Sequence, residues 1–200
     1  MSQLDSHHDQ QHRQQLRQSI RQQRRALSPE QQQQAGLAIL ERLQQDPTLA
    51  SMQRCALYLA FDGEVDLSVI IGWLWQQNKQ VFVPLVDPST SGAMCFHHYH
   101  ANSPMQLNQF GIAEPVFDHA EVQNCQQLDV ILAPLVAFDS EGNRLGMGGG
   151  YYDRLLAQCD GEKPAVVGVA HDCQQVDQVP MQDWDQPLKR IITPSKDWQW

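Results

Sequence analysis

The chain has 200 residues, 42% hydrophobic and 18% charged: the size of one domain, with apolar side chains enough for a sizeable core. That excludes a wholly disordered chain, and the densest apolar run, residues 69–75, falls far short of the roughly 18 residues a membrane helix needs. A net charge of −9 speaks against general nucleic-acid binding, which needs a basic footprint. The Gln/His/Arg-rich N-terminus has no apolar stretch resembling a secretion signal. The five cysteines are widely spaced, with no C-x-x-C pair, which argues against a disulfide framework or a cysteine zinc site. A reducing, cytoplasmic setting is expected.

Residues 1–12 read as a flexible tail and 13–200 as a single α/β domain. Arg13, Arg17, Arg21 and Arg25 recur at i, i+4 and form one stripe of a basic helix, beside a thin apolar stripe of Leu16, Ile20 and Leu27. Like charges at this spacing repel. The stripe is therefore either a solvated face or one that meets an anionic ligand or an acidic surface of the same chain. Ser28-Pro29-Glu30-Gln31 has the form of a capping box with proline at the first helical position. It predicts a helix with Ala35, Ala38, Ile39 and Leu43 inward, ending before Asp46-Pro47.

Short apolar runs then alternate with helical segments. Residues 55–59 read as a buried strand. Asp66 caps a helix to about Gln77 with Val69, Ile70, Trp73 and Leu74 inward. Residues 81–83 are a strand stopped by Pro84; residues 94–100, 129–133, 164–170 and 191–192 read as further strands. Strands buried on both faces and alternating with helices predict an α/β fold, a mostly parallel central sheet flanked by helices and preceded by the basic helix. His97-His98-x-His100 suggests a metal at first sight, but on a strand His98 and His100 share one face while His97 faces the other, and a polar edge strand is the better reading. Asp118, Glu121 and Asp129 read as solvated or capping carboxylates, and Cys55 as a buried strand residue.

The most informative segment is residues 138–154. Asp139 to Gly142 suits a tight turn, and four glycines then fall within five residues, directly before a helix beginning near Tyr151. Glycines let backbone N–H groups approach a ligand, and a helix N-terminus adds free donors, which together make a phosphate cradle at the carboxyl end of a strand. The pattern is neither a P-loop nor G-x-G-x-x-G. Arg144 adds a planar cationic fork. Asp153 would repel phosphate unless a divalent cation bridges the two, and Mg²⁺ commonly binds through carboxylates plus phosphates.

The run Arg144-Leu145-Gly146-Met147-Gly148-Gly149-Gly150-Tyr151-Tyr152-Asp153-Arg154 resembles the signature loop of the 5-formyltetrahydrofolate cyclo-ligases. Arg13 and Arg17, residues 61–66, residues 111–115 and Asp185 extend the resemblance over about residues 13–193. It implies ATP-dependent closure of 5-formyltetrahydrofolate to 5,10-methenyltetrahydrofolate, with ATP and a reduced folate as ligands, Mg²⁺ as metal, and a monomer or weak dimer. It further implies that Arg13, Arg17 and residues Arg144 to Tyr152 hold ATP, that Leu59, Glu64 and residues Met147 to Tyr151 border the folate, and that Asp153 and Asp185 serve the metal. Arg144, Tyr151 and Asp153 form the catalytic set. Removing the Asp153 charge should then spare the fold while turnover collapses. Arg13 stands where lysine is usual, Met147 where an aromatic or basic residue is common, and Trp184 where His or Asn is frequent. A non-catalytic nucleotide- or folate-binding regulator and a small-molecule kinase are the competing readings.

Overall fold

The computed structural model describes residues 3–90, 92–108, 111–158 and 164–200, with side chains from residue 9 onward. Cys159 and the side chains of His7 and His8 lie outside that description. Three helices open the chain: α1 (Gln3–Arg25), α2 (Pro29–Gln45) and the short α3 (Pro47–Ser51). Strand β1 (Arg54–Leu57), α4 (Ser68–Gln76), β2 (Gln80–Val86) and β3 (Met94–His98) follow. Next come β4 (Met105–Leu107), β5 (Ala113–Pro115), β6 (Val122–Gln123) and β7 (Val130–Pro134). The chain continues through β8 (Ala137–Phe138), β9 (Arg144–Leu145), α5 (Tyr151–Leu156), β10 (Ala165–Val169), β11 (Arg190–Ile192) and β12 (Asp197–Gln199).

Eight strands form one sheet in the order β12-β11-β10-β7-β1-β2-β3-β6. The five central strands are parallel and the outer pairings antiparallel, as the buried apolar runs predict. Alternation sends Cys55, Leu57, Val81, Val83, Val130 and Leu132 to one face, under Ala35, Ile39 and Leu43 of α2 and Ile70 and Leu74 of α4. Ala56, Phe82 and Ile131 point to the other face, where Leu155 of α5 packs. Cys55 is fully buried, and burial pushes its thiol up to about 12, in keeping with a packing role. Cys55, Cys95, Cys125 and Cys173 are all free thiols.

Several elements depart from their expected form. Helix is already present at Gln3, within the stretch expected as a tail. The Ser28 capping box forms as read, yet Gly36 is buried on α2 and Ala38 only half-buried. Asp66 accepts from the Ser68 N–H at 2.9 Å, yet α4 begins at Ser68, one residue later than a cap at Asp66 implies, and buries Ile71, while Val69 and Trp73 stay half-buried. Pro84 does not stop β2, which runs on to Val86. Its parallel pairing with β1 ends at Ala56↔Phe82, so Pro84 interrupts no ladder on that side and pairs only with Phe96 of β3. The histidine strand β3 is not the edge; the two-residue β6 covers it. The hairpins β4–β5 and β8–β9 and the final strand β12 have runs too short to show a period.

Helix α1 does not cover a sheet face. Leu16 and Ile20 instead pack on Val136, Ala137, Leu145 and Val179, beyond the carboxyl end of β7. That placement brings the arginine stripe to the rim of the sheet, where the site is found.

Gly36 marks the closest approach of α2 to the segment leading into α4. A Cβ there would lie 2.6 Å from the Asp66 carbonyl oxygen, whereas one on Gly72 of α4 would meet nothing within 4 Å. Gly→Ala inside a helix normally stabilises by up to about 1 kcal/mol. Urea unfolding should show that gain for Gly72→Ala, but a loss of about 1–3 kcal/mol for Gly36→Ala, because backbone must move. Equal effects at both positions would refute the close contact.

Candidate active site

Strand β1 lies between β2 and β7, so the chain leaves it in opposite directions and opens a crevice at the carboxyl ends of the strands. Past β7, the β8–β9 hairpin turns on Asp139, which accepts from the backbone N–H groups of Glu141 at 3.0 Å and Asn143 at 3.1 Å, with Gly142 at φ +83°. The hairpin delivers Arg144 to the crevice. The glycine run follows, with Gly148 at φ +102° and Gly150 at φ +66°, backbone conformations that exclude most side chains. Gly150 caps α5 without a side-chain hydrogen bond. Since α5 has only six residues, its dipole is short and the positive charge of the site comes from arginines.

A cavity of about 280 Å³ is lined by Arg13, Glu64, Arg144, Gly146, Met147, Gly148, Gly149, Gly150, Tyr151, Tyr152, Asp153 and Asp185. Residues up to 172 positions apart in sequence thus converge. Three expected residues stand elsewhere. Leu145 is fully buried beneath the loop, packed on Ile20. Arg17 does not line the cavity; its Nε donates to the Gly146 carbonyl at 2.8 Å and holds the loop from outside. Leu59 lines a second cleft with Phe61, Tyr99, Met105 and Ile112, which shares Glu64 with the first. Pro84, Leu85, Val86, Met94, Pro134, Leu135 and Trp184 complete the first cavity's wall. Their signal in the sequence is only that most stand at strand ends on the carboxyl side.

Each cation in the cavity faces a carboxylate. Arg13 pairs with Asp185 through both guanidinium nitrogens, Nη2 to Oδ1 at 3.1 Å, and also donates to the Pro180 carbonyl at 2.6 Å. Arg144 Nη2 donates to Asp153 Oδ1 at 2.7 Å, while its Nε is buried without a partner. Burial pulls the Arg144 guanidinium below its usual range, opposed by Asp153. Burial likewise raises the Tyr152 phenol. Asp153 is therefore more than a cap on α5. It is the counterion of a buried arginine, so Asp153→Asn would leave that arginine unpaired and destabilise the protein, contrary to the fold-sparing change the sequence suggests.

The rest of the α1 stripe also meets an acidic surface of the same chain. Asp62, at φ +56°, receives Arg21, Arg24 and Arg25. Burial alone would raise its carboxyl, but hydrogen bonds from Arg21, Arg25 and Arg24 outweigh burial and hold it below the usual range. Arg24 lies off the stripe, is fully buried, and also donates to the backbone carbonyl of Asp62 at 2.8 Å. Its Nη2 stands 3.8 Å from Glu64 Oε1. Burial pushes the Glu64 carboxyl up to about 7 against the pull of Arg24.

Residues 9–194 match the model of the 5-formyltetrahydrofolate cyclo-ligase family. The chain belongs to that family. It is 45% identical over 177 residues to a 5-formyltetrahydrofolate cyclo-ligase of Escherichia coli K12, covering 88% of this chain and 97% of that one. It is also 46% identical over 137 residues to the Haemophilus influenzae enzyme of the same name, covering 68% and 73%. Among solved structures, the 5,10-methenyltetrahydrofolate synthetase of Aquifex aeolicus aligns with a TM-score of 0.79 at 32% identity, covering 94% of this chain and 92% of that one. The Mycoplasma pneumoniae 5,10-methenyltetrahydrofolate synthetase aligns with a TM-score of 0.71 at 26% identity, covering 91% and 98%.

In this cyclo-ligase family member, Glu64 gives a pH test. Its folded pKa lies above that of an unfolded glutamate, so its contribution is fully present below about pH 4.3 and is lost as pH rises through about 7. Between pH 5.5 and 8 the wild type should lose about 1–2 kcal/mol of unfolding free energy relative to Glu64→Gln. A difference that does not change with pH would contradict the buried, raised carboxyl.

Proposed function

We propose that the protein closes 5-formyltetrahydrofolate to 5,10-methenyltetrahydrofolate at the expense of ATP, releasing ADP and phosphate. The observation that carries this reading is one cavity holding two arginines, a glycine loop, two carboxylates and Glu64. The triphosphate would lie on the glycine loop between Arg13 and Arg144, whose unpartnered buried Nε is a free donor for an anion. Arg17 would act by fixing the loop. The folate would enter from the second cleft along Leu59, its pterin against Glu64 where the clefts meet and its formyl group toward residues 147–151.

A formamide oxygen is a poor leaving group, so ring closure requires that oxygen to be activated. Transfer of the γ-phosphoryl group to it gives an iminium phosphate. N10 then attacks the formyl carbon and phosphate departs with the oxygen. This chemistry needs alignment and charge neutralisation rather than a protein nucleophile. The guanidinium of Arg144 and the loop amides would meet charge on the transferring group. Asp153 and Asp185 are the residues that would hold Mg²⁺; when bound, it supplies further neutralisation of the phosphates. Each carboxylate rests against an arginine. Binding a magnesium–triphosphate unit would exchange partners, phosphate for arginine and metal for carboxylate, with little net change in buried charge. The free thiols and the cysteine spacing support a cytoplasmic setting, and no helix among the described residues is long and apolar enough to cross a membrane.

Incubation with 5-formyltetrahydrofolate and Mg-ATP should produce the near-ultraviolet absorbance of the methenyl product, with phosphate released to solution. Phosphate retained on a product would indicate a kinase, and binding without turnover a regulator. Arg144→Ala should lower kcat/KM for ATP at least tenfold, since a lost charged contact costs about 1.5–3 kcal/mol. Asp153→Asn should collapse turnover and lower the melting temperature, with added Mg²⁺ recovering part of the activity. Full turnover in either variant would remove that residue from the proposed machinery.

A further inference from the structure

On the far side of the sheet's short edge, three side chains converge that the reaction does not use. His98 closes β3, His100 follows it, and Glu121 directly precedes the edge strand β6. Glu121 Oε2 lies 3.2 Å from His98 Nδ1 and 3.7 Å from His100 Nε2, and one ligand atom from each of the three falls within 4.8 Å of the others. The His98 and His100 rings are 4.0 Å apart, and His98 is held in place by stacking on Phe82 at 5.0 Å. Tyr99, between them, lines the second cleft instead.

We propose that His98, His100 and Glu121 bind one divalent transition-metal ion, zinc being the representative, as a clamp joining β3 to β6. Two imidazoles and one carboxylate form the borderline-soft donor set that suits zinc, copper or nickel and not magnesium. Among the described residues the ion-pair partners of Glu121 are these two rings, so no lysine or arginine competes for its carboxylate. His100 and Glu121 are partly exposed, giving the ion a path in and leaving a position for water. The clamp has a structural use, because β6 pairs with β3 through only two residue pairs, Phe96↔Gln123 and His97↔Val122.

The test is calorimetric titration of the tag-free, chelator-treated full chain with Zn²⁺, in the presence of excess Mg²⁺, together with Co²⁺ absorption spectra and melting curves. One zinc per chain, a rise in melting temperature and cobalt d–d bands are expected. His100→Ala and Glu121→Gln, both at partly exposed positions, should keep the melting temperature of the metal-free wild type and its cyclo-ligase turnover. Each should weaken zinc binding about tenfold or more and abolish the melting shift. His7→Gln/His8→Gln/His12→Gln should bind zinc as wild type does. No saturable zinc binding, binding unchanged in both His100→Ala and Glu121→Gln, or binding lost with the three N-terminal histidines would overturn the proposal.

Discussion

Arg13 and Asp185, 172 residues apart in sequence, form the buried ion pair on which the rest of the arrangement turns. A helix with arginines at successive i, i+4 positions gains nothing on its own, since neighbouring charges repel. What holds α1 in place is the set of acceptors waiting for it: Asp185 and the Pro180 carbonyl for Arg13, the Gly146 carbonyl for Arg17, and Asp62 for Arg21, Arg24 and Arg25. The apolar part of the contact, Leu16 and Ile20 on Val136, Ala137, Leu145 and Val179, is narrow. Charge pairing therefore sets the register of the helix, and the helix in turn sets the position of the glycine loop and of the Asp62–Glu64 turn.

The same pairing bears on the proposed triphosphate site, which lies in a strongly acidic chain. Its anionic side chains in the cavity are already neutralised by arginines, so the field at the loop is not the field of the net charge. Arg144 is buried with one nitrogen on Asp153 and one nitrogen unused. Such an arrangement is expensive if either partner is simply removed and inexpensive if one partner is exchanged for another of like charge. Stability and the proposed ligand binding thus draw on the same residues.

Much of the site was legible because its chemistry is contiguous. Arg144, the glycines and Asp153 lie within one short stretch, and glycine density beside a permanent cation is a local signal. The Ser28 capping box is equally local and forms as read. What stayed hidden depends on partners distant in sequence. Arg24 breaks the i, i+4 rule, and only the turn at Asp62 explains its burial. Asp153 reads as a metal carboxylate alone, and its second role as counterion shows only when Arg144 is seen against it. Pro84 reads as a strand end until the β1 ladder is seen to stop first. Leu59 falls in a second cleft because β1 ends before it. His98 and His100 read as part of a polar edge strand until the chain brings Glu121 back beside them.

Coupling between Arg13 and Asp185 is measured by a double-mutant cycle of Arg13→Gln and Asp185→Asn followed by urea unfolding. Each single change strands a buried charge, so each should be markedly destabilising, while the double variant strands none. The double variant should lose less than the two singles combined, by at least about 1 kcal/mol. Strictly additive losses would contradict that coupling and leave α1 held by its apolar contact alone.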